Sequence, residues 1–494
     1  MEHEEVKNRA IRGVVALVSR TMVLQVINGV ALFFLGIFLS PTAIGVYIVV
    51  SAAIRIFTLF TDVGLGAALV QKKNELDEED LKVAFTIQEV LVLTVVAASF
   101  LTTPIVAARA GLDPEGIFLY HILAVVLFIS SLKVIPSILL ERKLHFEKQV
   151  IPQILEAVVF NIVVVSLAFK GWGVRSYSWA ALLSALSSLP VYYWLSPWRV
   201  SLGFSKAKAD ELFSYGLAYQ GKSFLAVIKD DLLTLFLSGL PGIGTSGIGY
   251  WGTAQRWAYF PYRFVVDSVT KVTFPAYSRI RENENLLRKS IEKSLFAVST
   301  ILFPIYTMLI IMAGKLIYLI PKYTKWEPSL PSLYFLCATA LIAGLTNILV
   351  NVLDATGRVK TTLGLMVMWI IATWVITILA VSRLGFTGIA VAAFLVSLTI
   401  FVVIYLVKKV VAFNFLSNIF RQFLAAAVMG LTVFGIISRL PNNFLVLIAA
   451  GAVGGIIYLV LLFALAGGEL IANTRSLLKA YRPEKYADSR NFYS

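Results

Sequence analysis

Between Trp251 and Lys271 the chain places Arg256, Arg263, Asp267 and Lys271 at intervals of seven, four and four residues. On a helix that spacing aligns the four side chains along one stripe. Guanidinium groups grip phosphate through paired, planar hydrogen bonds and ammonium groups act as point charges, so the stripe suits an anionic ligand. Lys222 and Lys229, also seven apart, are followed by Asp230 and Asp231, and Arg55 stands seven residues before Asp62. Arg20 is accompanied by Gln25 and Asn28, and Lys133 precedes Pro136 by one turn. The candidate ligand-holding residues are therefore Arg20, Arg55, Lys222, Lys229, Arg256 and Arg263. Asp62, Asp230, Asp231 and Asp267 either pair with them or hold a coupling cation.

These groups matter because of what surrounds them. The 494 residues are 59% hydrophobic and 14% charged, against roughly 45–50% and about 25% in soluble domains. Uncharged runs at 176–198, 294–314, 384–407 and 440–468 each reach the roughly 20 residues that cross a hydrocarbon core as a helix. Backbone groups in lipid must bond internally, so the runs are helical. A charge inside such a helix costs roughly 2.5–3.5 kcal/mol even on lenient insertion scales. Several on one face call for a ligand or a partner.

Apolar runs, read against breaks at Gly, Pro and charge clusters, predict an all-α polytopic membrane protein of about 14 spans. They are placed at 11–38, 43–70, 83–108, 117–140, 149–169, 176–197, 213–238, 247–274, 291–313, 330–353, 361–382, 386–407, 420–438 and 443–467. With the N-terminus inside, connecting segments on the inner side hold 27 Lys and Arg and those on the outer side eight. That asymmetry puts both termini in the cytoplasm of a cell membrane. The remaining eight basic residues of the 43 lie within or at the edge of spans. The net charge of +15 is thus explained by topology and calls for no nucleic acid.

The chain also repeats weakly. Ile44-Gly45-Val46-Tyr47 returns as Ile248-Gly249-Tyr250-Trp251, 204 positions on, and Gly173 with Ala180-Ala181-Leu182-Leu183 returns as Gly385 with Ala392-Ala393-Phe394-Leu395, 212 positions on. Two similar six-helix lobes follow, 1–198 and 213–411, joined by a cytoplasmic linker at 199–212 and followed by two added spans at 418–468 and a cytoplasmic tail at 469–494. Parallel duplication suits a transporter whose halves rock about a midplane cavity. Arg20, Lys133 and Lys271 lie near enough to helix ends to snorkel instead. Lys229 with Asp230 and Arg263 with Asp267 can equally be ion pairs that lock helices. The aromatic cluster around Pro261 either packs or stacks on sugar rings, and Pro261 marks a bending point.

His3, His121 and His145 are too scattered for a metal or catalytic set, and no GxxxxGK[ST] pattern is present. Cys337 sits alone in an apolar run. No catalytic residue, metal or cofactor is expected, apart from a coupling Na⁺ or H⁺. A cation-coupled drug exporter would want an acidic cavity. A membrane-embedded transferase would want a carboxylate or histidine on a sizeable loop, which the sequence does not offer.

Four motifs in order complete the reading: Gly45-Val46-Tyr47 through Phe60-Thr61-Asp62-Val63-Gly64-Leu65-Gly66-Ala67-Ala68-Leu69-Val70-Gln71; Glu141-Arg142-Lys143-Leu144-His145-Phe146; Phe274-Pro275-Ala276-Tyr277-Ser278-Arg279-Ile280; and Asp354-Ala355-Thr356-Gly357-Arg358. Over roughly the first 400 residues the chain resembles the polysaccharide transporter family, the Wzx-like flippases of the multidrug/oligosaccharidyl-lipid/polysaccharide superfamily. The resemblance implies two six-helix lobes, with a polyprenyl-diphosphate-linked oligosaccharide moved from the cytoplasmic to the outer leaflet for cell-surface polysaccharide biosynthesis. It also implies polysaccharide polymerase machinery as a candidate partner. Lys229-Asp230-Asp231 departs from related sequences, which often carry an Asn near the Asp. The two added spans resemble those of lipid II flippases, which leaves a lipid II-like substrate open.

Overall fold

The computed structural model describes residues 2–61, 64–72, 75–219 and 221–481, which form helices joined by short turns, with no strand among them. In chain order the α-helices are α1 (Glu2–Phe38), α2 (Pro41–Thr58), α3 (Leu65–Gln71), α4 (Glu78–Leu101), α5 (Thr103–Ala110), α6 (Pro114–Ser131), α7 (Val134–Arg142), α8 (Phe146–Phe169), α9 (Arg175–Leu195), α10 (Lys206–Tyr219), α11 (Gly221–Val227), α12 (Leu233–Ser238), α13 (Gly244–Ile280), α14 (Glu284–Leu319), α15 (Leu330–Ala355), α16 (Val359–Leu384), α17 (Thr387–Ser397), α18 (Ile400–Lys408), α19 (Phe415–Arg439) and α20 (Phe444–Tyr481). A π-helical turn, Ile228–Leu232, joins α11 to α12, and a 3₁₀ turn, Tyr323–Ser329, precedes α15.

Among the described residues, eleven spans, rather than about fourteen, are long and apolar enough to cross a membrane. The three that fall short coincide with the expected sixth, seventh and eighth spans. Helices α9 and α13 have the length but not the apolarity: α9 carries repeated Ser and Tyr, and α13 carries the charged stripe. The seventh is broken, since residues 206–238 form four successive helical pieces. Other expected spans are interrupted too. The second ends at Thr58 and resumes at Leu65 after Gly64, whose φ of 72° is the left-handed region that glycine adopts freely. The third stops at Leu101 and restarts at Thr103, where Pro104 lacks the amide that would continue it.

Packing divides the chain into two compact units. The first holds residues 1–264, 320–339 and 360–398; the second holds 265–319, 340–359 and 399–494. In the second unit, α14, α19 and α20 bury Phe296, Phe303, Met429, Val433 and Leu447 among small residues. Gly430 and Gly454 admit the side chains of Thr307 and Met308, and the Tyr458 hydroxyl donates to the Thr300 carbonyl at 2.7 Å. The outer faces of α19 and α20 carry exposed Leu431, Phe434, Leu445 and Phe463, as surfaces in contact with lipid tails should.

In the first unit, α8 packs on α1 and α9, and α6 packs on α2, α4 and α9. The C-terminal end of α1 leaves carbonyls that no further turn of helix can bond. The 3₁₀ turn supplies donors to this end of the helix: Tyr323 Oη to Phe33 at 2.8 Å, Trp326 Nε1 to Gly36 at 2.8 Å and Lys325 Nζ to Ile37 at 2.9 Å. Gly36 must lack a side chain, because a Cβ there would enter the Tyr323 ring.

A second close approach is reciprocal. A Cβ on Gly45 of α2 would collide with the Thr245 carbonyl, and a Cβ on Gly249 of α13 would collide with the Pro41 carbonyl. Both glycines and both carbonyls are related by the same offset of 204, so the repeated motif marks where two backbones touch. Overpacking a core usually costs about 1–3 kcal/mol, and here no side chain can move aside. Gly249→Val should therefore lower the thermal unfolding midpoint in detergent by at least the equivalent of that upper figure. A wild-type midpoint would show that the helices do not cross at the glycines.

Candidate substrate site

The site starts from the break in the seventh expected span. A π turn widens the helix by one residue, loosens its hydrogen-bond ladder and recurs at functional positions. In Ile228–Leu232 the Ile228 carbonyl accepts from Trp374 Nε1 of α16 at 3.1 Å, and the Asp230 carbonyl accepts from Thr234 Oγ1 at 2.7 Å. With its carbonyls held this way, the turn presents three consecutive charged side chains.

Asp231, 8% exposed, turns toward α2. There its Oδ1 accepts from both Nε and Nη2 of Arg55, each at 2.7 Å. The Arg55 side chain remains 54% exposed. Its guanidinium carries five donors, and the Asp231 bonds engage one edge of the group. Lys229 pairs with its neighbour Asp230 at 2.9 Å, both partly exposed. A guanidinium held by one carboxylate and open to solvent can exchange that partner for a phosphate.

Two turns earlier on α2, Tyr47 stacks on Tyr177 of α9 with ring centroids 4.0 Å apart, and the guanidinium of Arg256 lies 5.7 Å from the Tyr47 centroid. This cation–π contact holds Arg256 without consuming its donors. Tyr177 is fully buried, within electrostatic reach of Arg256. On α13, Tyr259 lies within electrostatic reach of Asp230, Tyr262 and Arg263. Arg55, Lys229, Asp230, Asp231, Arg256 and Arg263 thus belong to one unit, on α2, the π turn and α13.

The other predicted residues lie elsewhere. Arg20 shares Tyr192 as a neighbour with Glu156, and its Nε is buried without a hydrogen-bond partner among the described residues. Lys133 does not snorkel: it is 7% exposed, with Nζ 3.0 Å from Glu156 and 3.1 Å from Ser188. Asp267 belongs to the second unit. Asp62 and the side chain of Lys222 lie outside the described residues. Tyr47, Tyr177, Trp374 and Glu156 were not foreseen as site or pairing residues. Glu156 carried a usable signal, an acid inside an apolar run, where the cost that drew attention to the cations applies equally.

Outside the spans, the start of α10 is tied to the corner between α3 and α4. Lys208 reaches Asp77 at 2.6 Å, Asp80 at 3.1 Å and Glu79 at 3.2 Å, and Lys72 reaches Asp80 at 2.9 Å and Glu211 at 3.3 Å. The Lys208 hydrogen bond holds the Asp77 carboxyl below the usual range, and Asp80 raises Lys72. Asp77 and Asp80 also form a reciprocal capping box at the head of α4.

A family model described as polysaccharide biosynthesis protein matches residues 34–331. The succinoglycan biosynthesis transport protein ExoT of Rhizobium meliloti (strain 1021) is 23% identical over 465 residues, 90% of each chain. The lipopolysaccharide biosynthesis protein WzxC of Escherichia coli (strain K12) is 26% identical over 308 residues, 60% of each. In fold, the chain is similar to the lipid II flippase MurJ in an inward closed conformation, with a TM-score of 0.72 at 14% identity, covering 93% of this chain and 100% of that one.

The Arg55–Asp231 pair can be isolated by a double-mutant cycle with Arg55→Ala and Asp231→Ala, read as unfolding free energy in detergent. Hydrogen bonds to charged groups contribute roughly 1.5–3 kcal/mol, and the half-exposed arginine places the coupling at or below the lower figure. Additive single effects would show that the two side chains do not meet.

Proposed function

Because the chain belongs to the polysaccharide biosynthesis protein family, we propose that it is a flippase for a polyprenyl-diphosphate-linked oligosaccharide. It moves that lipid from the cytoplasmic to the outer leaflet by alternating access, in the cytoplasmic membrane, with both termini inside. The oligosaccharide then passes to polysaccharide polymerase machinery. Nothing in this cycle breaks or forms a covalent bond of the transported lipid, so no catalytic residue takes part.

The observation that carries the reading is the half-exposed Arg55 of α2, held by one carboxylate on a π turn, with Arg256 of α13 resting on the Tyr47–Tyr177 stack two turns away along α2. In the proposed cycle the diphosphate takes the place of Asp231 on Arg55, and Arg256 neutralises its second charge. The displaced Asp231 is then free to hold a Na⁺ or a proton, which gives the cycle a coupling step. Lys229 and Arg263 extend the basic surface along the path, while Tyr faces offer sugars an apolar platform. An organic cation gains nothing from such a surface, which disfavours a drug exporter. With the N-terminus inside, the Gly45–Gly249 crossing and the clasp on α1 lie toward the outer leaflet and form the side that must part for release.

The test is reconstitution into vesicles with fluorescent polyprenyl-diphosphate sugars of different head groups. Each charge-assisted contact of roughly 1.5–3 kcal/mol is worth tenfold or more in affinity, so Arg55→Ala with Arg256→Ala should cut flipping at least about a hundredfold without loss of folded protein. Unchanged flipping by the double variant would remove the site assignment.

A further inference from the structure

Glu89 occupies the middle of α4, eleven residues from one end and twelve from the other. The first turn of the helix, with Glu78, Glu79, Asp80 and Lys82, belongs to the charged corner outside the span, so at about 1.5 Å per residue Glu89 stands roughly 9 Å inside the start of the expected span at 83–108, within a hydrocarbon core about 30 Å thick. It is 7% exposed, and both carboxyl oxygens are buried with no hydrogen-bond partner among the described residues. Glu156, another acid inside a span of this unit, has Lys133 and Ser188. Among the described residues Glu89 has no cation beside it, and neither carboxyl oxygen accepts a hydrogen bond within normal geometry.

Its surroundings explain why. The polar groups that feel Glu89 are Ser131 at the end of α6 and Tyr193 of α9. Each hydroxyl has one proton to donate, and each donates it to a backbone carbonyl: Ser131 to Phe128 at 2.7 Å and Tyr193 to Leu132 at 3.1 Å. Charged groups on the helices packed against α4 are engaged elsewhere. Arg55 of α2 holds Asp231, Arg109 of α5 lies over Phe236, and Glu115 of α6 pairs with Arg175. His121 of α6 bonds Thr103, and Lys208 and Glu211 of α10 belong to the cluster at the head of α4. Lys206 and Asp210 of α10 are exposed, and among the described residues no charge on these elements compensates a carboxylate at this depth.

An unpaired carboxylate in such a medium is too costly to persist, and the group neutralises by holding its proton. We propose that Glu89 is a proton-binding site that couples transport to a proton gradient, a role that rests on the flippase reading. With Glu89 as the acid, its O–H bond is intact in this conformation. When rearrangement of α4 against α6 and α9 admits water, that bond breaks, the proton passes to water and the carboxylate remains. Closing the contact again requires the carboxylate to take a proton back. One proton crosses per cycle when it is taken up from one side before the contact closes and released to the other when the contact opens, the lipid-loaded leg running with the contact open and the carboxylate ionised. Intramembrane acids of this kind are the usual elements of proton relays.

Infrared spectroscopy of the full chain in phospholipid vesicles tests the protonation without any substrate. The carbonyl stretch of a protonated carboxyl should be present at neutral pH in the wild type and lost in Glu89→Gln, which keeps the shape of the neutral acid and should remain monodisperse. A band that the substitution leaves in place, or a wild type without one, overturns the proton site. The coupling is read by flipping of a fluorescent undecaprenyl-diphosphate sugar under an imposed gradient. One pH unit is worth up to about tenfold for one proton per cycle, and Glu89→Gln should lower that acceleration. Equal acceleration in both proteins overturns the coupling. Because the spectroscopic arm needs no substrate, a failure of transport on its own counts against the flippase reading and leaves the protonation of Glu89 to the spectrum.

Discussion

A charge inside a membrane span must be paired, held by a dipole or face, or neutralised, and each of these solutions occurs in the first unit of this protein. Lys133 and Glu156 are paired and shielded, with Ser188 completing the bonds. Arg55 is paired but open, because the π turn brings Asp231 to one edge of a guanidinium that otherwise faces solvent. Arg256 rests on an aromatic face, and Glu89 has no counter-charge. The same cost that forbids idle charge in lipid thus leaves one pair shielded and the other open on one edge.

The Arg55–Asp231 pair depends on backbone irregularity. The π turn through 228–232 inserts one residue into the helix, its Ile228 carbonyl accepts from Trp374 of α16, and Asp231 faces α2. The approach of α2 to α13 at Gly45 and Gly249 sets the other coordinate, since it brings Tyr47 and Arg256 within cation–π distance. A side chain at either glycine would push those helices apart and take Arg256 off its ring.

Much of this was legible in the sequence. Apolar runs gave the helical membrane class because hydrocarbon permits few alternatives, and the cost of charge singled out Arg55, Arg256 and the Lys229–Asp231 run. The repeated Ile-Gly motif pointed to two related helices, though only their contact explains the glycines. Partners were not legible. Arg55 and Asp231 are 176 positions apart, and no local spacing predicts a bond across that distance. The attention given to cations also hid Glu89 and Glu156, to which the same insertion cost applies. Breaks within spans were underestimated, since Gly64 and Pro104 act on local geometry while hydropathy averages over a whole window.

The most direct test of the exchange at Arg55 is magnetic-resonance measurement of the distance between its guanidinium nitrogens and the Asp231 carboxyl carbon in vesicles, with Asp231→Asn for assignment. Undecaprenyl diphosphate should abolish the dipolar contact seen without it, while undecaprenol, lacking the diphosphate, should leave it in place. A contact that persists at saturating diphosphate would contradict the account.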